Sequence, residues 1–245
     1  GLRNCIEIGN TSDNFNAILG GCENKIYNSN VGGNSNTHHS IVGGCLNVIS
    51  SSAAVGHFIG GGACNIINVG TQSYASIVGG LSNTIEGSYA SGNIIGSGVC
   101  NKICSAGCSG IFTGQSNEVC AAFSFIGAGC NNIICTCCSV IVGGNNNCIN
   151  TTCHKNFIGG GEANDILGTK GCHVIAGGST NIINTAGNKD TIVGGGGNCI
   201  TCNVENSTIG GGAGNKICRT SGFDYGSTIA GGATNCLVIS ACFST

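Results

Sequence analysis

The chain has 245 residues, a formal net charge of −2 and only 7% charged residues, with 46 Gly, 20 Cys and no Pro, Met or Trp. So few charges, with no basic cluster, exclude a nucleic-acid or anionic-membrane surface as partner. Disorder is excluded as well, because 41% of the residues are hydrophobic and one phrase recurs along the chain.

In chain order, residues 1–17 are degenerate and read as an atypical end coil. Residues 18–237 carry about 13 repeats of Ile-x-Gly-Gly-x-x-Asn-x-Ile, and residues 238–245 form an end segment. Ile41 to Ile49 reads IVGGCLNVI, Ile77 to Ile85 reads IVGGLSNTI, and Ile209 to Ile217 reads IGGGAGNKI. The repeated Asn falls at Asn24, Asn47, Asn65, Asn83, Asn101, Asn117, Asn132, Asn147, Asn164, Asn181, Asn198, Asn215 and Asn235. Most intervals lie between 15 and 18 residues. A weaker copy occupies Val31 to Asn36.

That period is too short for two helices and a turn. It suits one rung of an all-β, parallel β-solenoid with two or three short strands per rung. Ile, Val, Thr and Phe fill the strand positions, and Gly-Gly supplies a corner. The absence of Pro fits strands that each lie between two others. The anchor residues Ile41, Ile59, Ile77, Ile95, Ile141, Ile158, Ile175, Ile192 and Ile209 point inward as one aliphatic ladder. Ile49, Ile67, Ile85 and their equivalents form a second. The repeated Asn has two structural readings: a left-handed turn residue, or a member of an amide ladder stacked rung on rung.

Residues flanking the anchor Ile point outward and trade volume. Phe58 accompanies Gly60, Ile94 accompanies Gly96, Phe125 accompanies Gly127 and Phe157 accompanies Gly159; Gly110 with Phe112 reverses the trade. Packed surfaces conserve volume. Phe58, Ile94, Phe112, Phe125 and Phe157 are therefore expected to form a lateral interface, with another copy of the chain around a common axis as partner. Low charge and many ladder edges also predict burial in an assembly or a glycan cover. Asn10, Asn150 and Asn206 stand in Asn-x-Ser/Thr sequences.

The Cys positions follow the repeat. Reduced Cys acting as a small buried hydrophobe is the favoured reading, with disulfide staples and metal binding as alternatives. The densest cluster, Cys135, Cys137 and Cys138, lacks zinc-site spacing, so no metal is expected. His38, His39, His57, His154 and His173 are scattered and read as surface or corner residues. Glu162 and Asp165 do not extend into a calcium-binding repeat, and Gly194 to Gly197 lacks the Lys of a phosphate-binding loop. No catalytic residue and no cofactor is expected. An ice-binding face needs regularly spaced Thr; Thr191, Thr208 and Thr228 form a short column, which becomes Phe, Ile and Val earlier in the chain.

The SxIxGGxxNxI repeat resembles the head repeats of YadA-like trimeric autotransporter adhesins. It also resembles β-solenoid repeats in tail fibres, spikes and capsid-associated proteins of phages and large DNA viruses. The resemblance implies a non-enzymatic rod, used for attachment or for building a surface, and a trimer. The chain is accordingly expected to be a homo-oligomeric structural protein of a fibre, virion or cell surface. The alternatives are an adhesin head that binds a host-surface receptor or glycan, and an ice-binding solenoid. Irregular polar insertions at Asn30 to His39 and Cys218 to Ser227 would favour the adhesin. Gly1 in place of Met is what a processed product or part of a longer protein would show.

Overall fold

A computed structural model describes residues 1–9, 15–29, 37–52, 55–70, 74–87, 91–104, 107–221 and 224–240. The weak repeat copy at 31–36, with it most of the insertion from Asn30 to His39, and the glycosylation motif at Asn10 lie outside the described residues. Among those described, all regular elements are strands and all pairings are parallel, giving a β-solenoid of about 12 turns. The chain divides into two compact units, 1–129 and 130–245.

In the first unit, most rungs contribute a two-residue strand, a one-residue bridge and a longer strand. Ser40–Ile41, Phe58–Ile59, Ser76–Ile77 and Ile94–Ile95 stack as one column. Val48–Ser51, Ile66–Val69, Thr84–Gly87 and Lys102–Cys104 stack as another. Cys45, Ala63, Leu81 and Val99 form the bridge column between them. The second unit repeats the plan, with short strands such as Phe157–Ile158 and Val174–Ile175 and long ones such as Cys148–Thr151 and Asp165–Gly168. It adds one pairing outside the columns, Val204–Glu205 with Asp224–Tyr225.

The core follows from strand alternation. The anchor ladder Ile41, Ile59, Ile77 and Ile95 and the second ladder Ile49, Ile67, Ile85 and Ile103 are fully buried in the first unit. Ile141, Ile158, Ile175, Ile192 and Ile209 are fully buried in the second. Each such Ile contributes roughly 1.5–3 kcal/mol of burial. Ile229 and Leu237, in the last described rung, are half-buried.

The two glycines of each corner differ. Gly80 has φ 97°, and a Cβ there would overlap the carbonyl oxygen of Gly98 on the next rung. Gly79 has nothing within 4 Å of an added Cβ. Rungs with Ser97 or Thr113 at that first position confirm that only the second glycine is obligatory. Two residues later the chain turns through the left-handed region again, at Leu46 (φ 60°), Cys64 (φ 56°), Ser82 (φ 56°) and Thr180 (φ 54°). The left-handed residue is thus the one before each repeated Asn, and the Asn itself is not in that region. The amide of the left-handed residue is what the corner needs: Cys64 N–H donates to the Cys45 carbonyl at 3.0 Å, and Ser82 N–H to the Ala63 carbonyl at 2.9 Å.

Candidate functional site

The interior is built from two polar ladders as well as two aliphatic ones. In the first, each Asn joins three rungs. Asn65 Nδ2 donates to Asn47 Oδ1 on the preceding rung (3.1 Å), to Gly61 O on its own (3.0 Å) and to Gly80 O on the following one (2.9 Å). Its backbone N–H also donates to Asn47 Oδ1, at 3.0 Å. Asn83 and Asn101 repeat the arrangement in the first unit; Asn147, Asn164, Asn181, Asn198 and Asn215 do so in the second. All are fully buried. Asn4 belongs to this ladder too: its Oδ1 accepts from Asn24 N–H at 3.0 Å. Its signal is Gly1-Leu2-Arg3-Asn4, which keeps the Gly-to-Asn spacing of Gly21 to Asn24.

A second acceptor column lies two residues before the anchor Ile. Asn16 Oδ1 accepts from His39 N–H (2.8 Å), His39 Nδ1 from His57 N–H (3.2 Å), and His57 Nδ1 from Ala75 N–H (3.2 Å). In the second unit, Ser139 Oγ accepts from Asn156 N–H, Asn156 Oδ1 from His173 N–H, His173 Nδ1 from Asp190 N–H and Asp190 Oδ1 from Ser207 N–H. Asn, His, Ser and Asp are interchangeable here because each places an acceptor close to its own backbone, within reach of the next rung. This corrects the surface reading of histidine, since His39, His57 and His173 are at most 1% exposed. His38 and His154 are exposed.

Accepting at Nδ1 puts the proton on Nε2. His39 Nε2 meets Ser51 Oγ at 2.9 Å, and the His39 and His57 rings stack at 4.8 Å. Burial pushes His39 down to about 4, His57 to about 3 and His173 to about 4. Burial pushes Asp190 up to about 6, against hydrogen bonds from Ser207 and Thr185. These groups are structural acceptors: each faces its own ladder, inside a packed interior.

The outer face of the short strands is where the chain can meet other molecules. In the first unit it exposes Val42 (43%), Val78 (53%), Ile94 (44%) and Phe112 (65%), with Phe58 at 37%. Phe125 is half-buried, its ring 5.5 Å from Phe112 and edge-on. In the second unit Val142, Phe157 and Val193 are exposed. The volume trade has an explanation inside the chain. A Cβ on Gly60 would overlap the Val78 carbonyl oxygen of the next rung and lie 3.3 Å from Phe58 Cε1; one on Gly110 would lie 3.1 Å from Phe125 Cδ2 and 3.3 Å from Ile94 Cγ2. The glycines are required by the next rung's backbone, as at Gly60, Gly96 and Gly159, or by neighbouring side chains, as at Gly110, so the trade by itself does not call for a partner.

No protein-family model matches the sequence, and no curated protein matches it. What the molecule does is therefore read from its own surfaces.

Cysteine is the other marked outer feature. None of the 19 described cysteines is buried, which overturns the small-hydrophobe reading. They occupy outward strand positions, such as Cys104 and Cys148, bridge positions, such as Cys22 and Cys45, left-handed corners, such as Cys64 and Cys138, or return segments, such as Cys153. Asn150 and Asn206, the described glycosylation motifs, are exposed. Thr191, Thr208 and Thr228 stack in register as a column of three.

Proposed function

We propose that this chain is a non-enzymatic structural protein, a β-solenoid building unit of a fibre or of a virion or cell-surface assembly. The observation that carries the reading is the exposed apolar face of Val42, Phe58, Val78, Ile94 and Phe112, which alternate between the positions before and after the anchor Ile from rung to rung, on a sheet with few charges. Such a surface is costly to leave in water and is the kind that meets a like surface. The interior supports the same reading, because buried Ile and ladder acceptors fill it and leave the chemistry-bearing groups facing their own backbone. Lateral association of copies, with a trimer as the favoured state, follows from the resemblance of the repeat to trimeric fibre and adhesin heads.

Light scattering on the full chain, with reductant, tests this. A mass near three times 24.1 kDa is expected. A Phe58→Ser/Phe112→Ser variant should fall to 24.1 kDa with its circular dichroism unchanged. A parent protein that is monomeric at high concentration would overturn lateral association.

A second reading, an adhesin head, is favoured by one observation. The Val204–Glu205 and Asp224–Tyr225 pairing stands outside the regular columns and interrupts the regular plan of the second unit. Loss of host-surface or glycan binding on replacing 218–227 by a regular corner would support it; unchanged binding would remove it.

A further inference from the structure

We propose that Cys104, Glu118 and Cys120 form a binding site for a thiophilic divalent cation of the Zn2+ class on the outer face of the first unit. Cys104 and Glu118 lie in adjoining strands, Lys102–Cys104 and Glu118–Val119, and Cys120 directly follows the second; the register is set by Lys102 opposite Glu118 and Ile103 opposite Val119. Ile103 and Val119 are fully buried, so the outward residues on either side of them are held by the core. Cys104 and Cys120 each follow the core residue of their rung and stand side by side; Glu118 precedes it and reaches between them.

The spacing is that of a coordination shell. Glu118 Oε1 lies 3.3 Å from Cys104 Sγ and 3.4 Å from Cys120 Sγ, and all three ligand atoms lie within 4.8 Å of one another. A tetrahedral cation about 2.3 Å from thiolate and about 2.1 Å from carboxylate oxygen holds its ligands about 3.5–3.8 Å apart. Shifts of a few tenths of an ångström, within rotamer adjustment, would bring these atoms onto such a shell. Two sulfurs and one oxygen select a borderline-soft metal over Mg2+ or Ca2+.

The surroundings fit as well. All three residues are half-buried, which leaves a fourth position open to water or to a donor from a neighbouring molecule. Without metal the thiols are held protonated. Partial burial, helped by Glu118 and opposed by the Cys120 contact, keeps Cys104 above its ordinary range, and burial followed by the Cys104 contact does the same for Cys120. Lys102, paired with Glu86 at 2.7 Å on the preceding rung, lies beside the cluster and offsets its negative charge. Binding replaces two S–H bonds by two metal–sulfur bonds and releases two protons per ion, with no change of oxidation state. The ion would tie one rung to the next. Cys104 and Cys120 are 16 residues apart in the chain, so only the stacking of rungs brings them together.

The test uses the full chain, reduced, stripped with a chelator and titrated with Zn2+ alone, then with Co2+ for its visible spectrum. The parent should bind one equivalent more than C104S/C120S, with release of about two protons for that equivalent. The Co2+ complex should show tetrahedral ligand-field bands and thiolate charge transfer that the variant lacks. C22S/C45S, which removes another in-register Cys pair, should match the parent. Glu118→Gln should weaken Zn2+ at least tenfold while keeping the thiolate charge transfer, and it serves if the serine pair does not fold. Equal uptake by parent and C104S/C120S, an equal loss in C22S/C45S, or unchanged affinity in E118Q would overturn the site. So would a Cys104–Cys120 disulfide that persists in the reduced preparation.

Discussion

At the residue scale, the buried histidines make the first unit acid-sensitive. The folded values of His39 and His57, about 4 and about 3, lie below the ordinary value near 6.5. The unfolded chain therefore takes up protons first as pH falls. Their contribution to stability is full above about pH 6.5 and declines towards pH 4, by a few kcal/mol in total. Asp190 acts in the opposite sense: its folded value, about 6, is raised, so its contribution is full below about pH 4 and is lost as pH rises through 6. Asn93 and Asn156 already occupy the same column, so asparagine is a fair substitute. His39→Asn/His57→Asn should keep the fold and flatten the fall in urea stability between pH 6.5 and 4. An unchanged pH profile would show that the rings are not the titrating groups.

The repeated Asn belongs to the same scale. Removing the Asn83 amide leaves Asn101 N–H, which donates to Asn83 Oδ1 at 3.0 Å, without an acceptor in a buried position. Asn83→Ala should cost on the order of 3 kcal/mol, and Asn83→Asp should not restore it, because a carboxylate cannot donate to Gly79 and Gly98 carbonyls. Chemical denaturation of the two variants checks both statements.

At the element scale, the corner divides labour between its glycines. Gly80→Ala forces a Cβ into the next rung and adds left-handed strain, so it should destabilise by several kcal/mol or prevent folding. Gly79→Ala meets open space and should be neutral or stabilising by up to about 1 kcal/mol, through the unfolded chain. Thermal melts of the pair separate the two roles; equal losses would contradict them. The sequence phrase Gly-Gly hides this difference, because both positions are usually filled by the same residue. The left-handed residue before each Asn is illegible for the opposite reason. Leu46, Cys64, Ser82 and Thr180 share a backbone conformation and no side-chain property.

At the scale of the whole molecule, the sequence displays what every rung needs in the same chemical form. Inward Ile and ladder Asn recur in type, so period, parallel strands and both aliphatic ladders can be read directly. The second polar ladder is hidden because Asn16, His39, Ser109 and Asp190 look unrelated until their acceptors are seen to meet the next rung's amide. Cysteine is misread as interior when its hydrophobicity is weighed without its position, which alternation puts outside in Cys104, Cys148 and Cys199. The outer face shows a limit of another kind: volume matching between Phe58 and Gly60 is real, but the match is made within one chain.

The corner also governs how such a chain can change. In every rung the second glycine and the ladder Asn are three residues apart, as in Gly62 and Asn65 or Gly80 and Asn83, while the return segment varies in length. The stack is thus free to gain or lose rungs only as complete turns, while single residues are added or lost in the return segments. Excising 66–83, one whole turn of 18 residues, should leave a folded chain with one turn fewer. Excising a single residue between Gly62 and Asn65 should leave none. Gene duplication and loss in units of one turn would then tune its length without redesigning its interior.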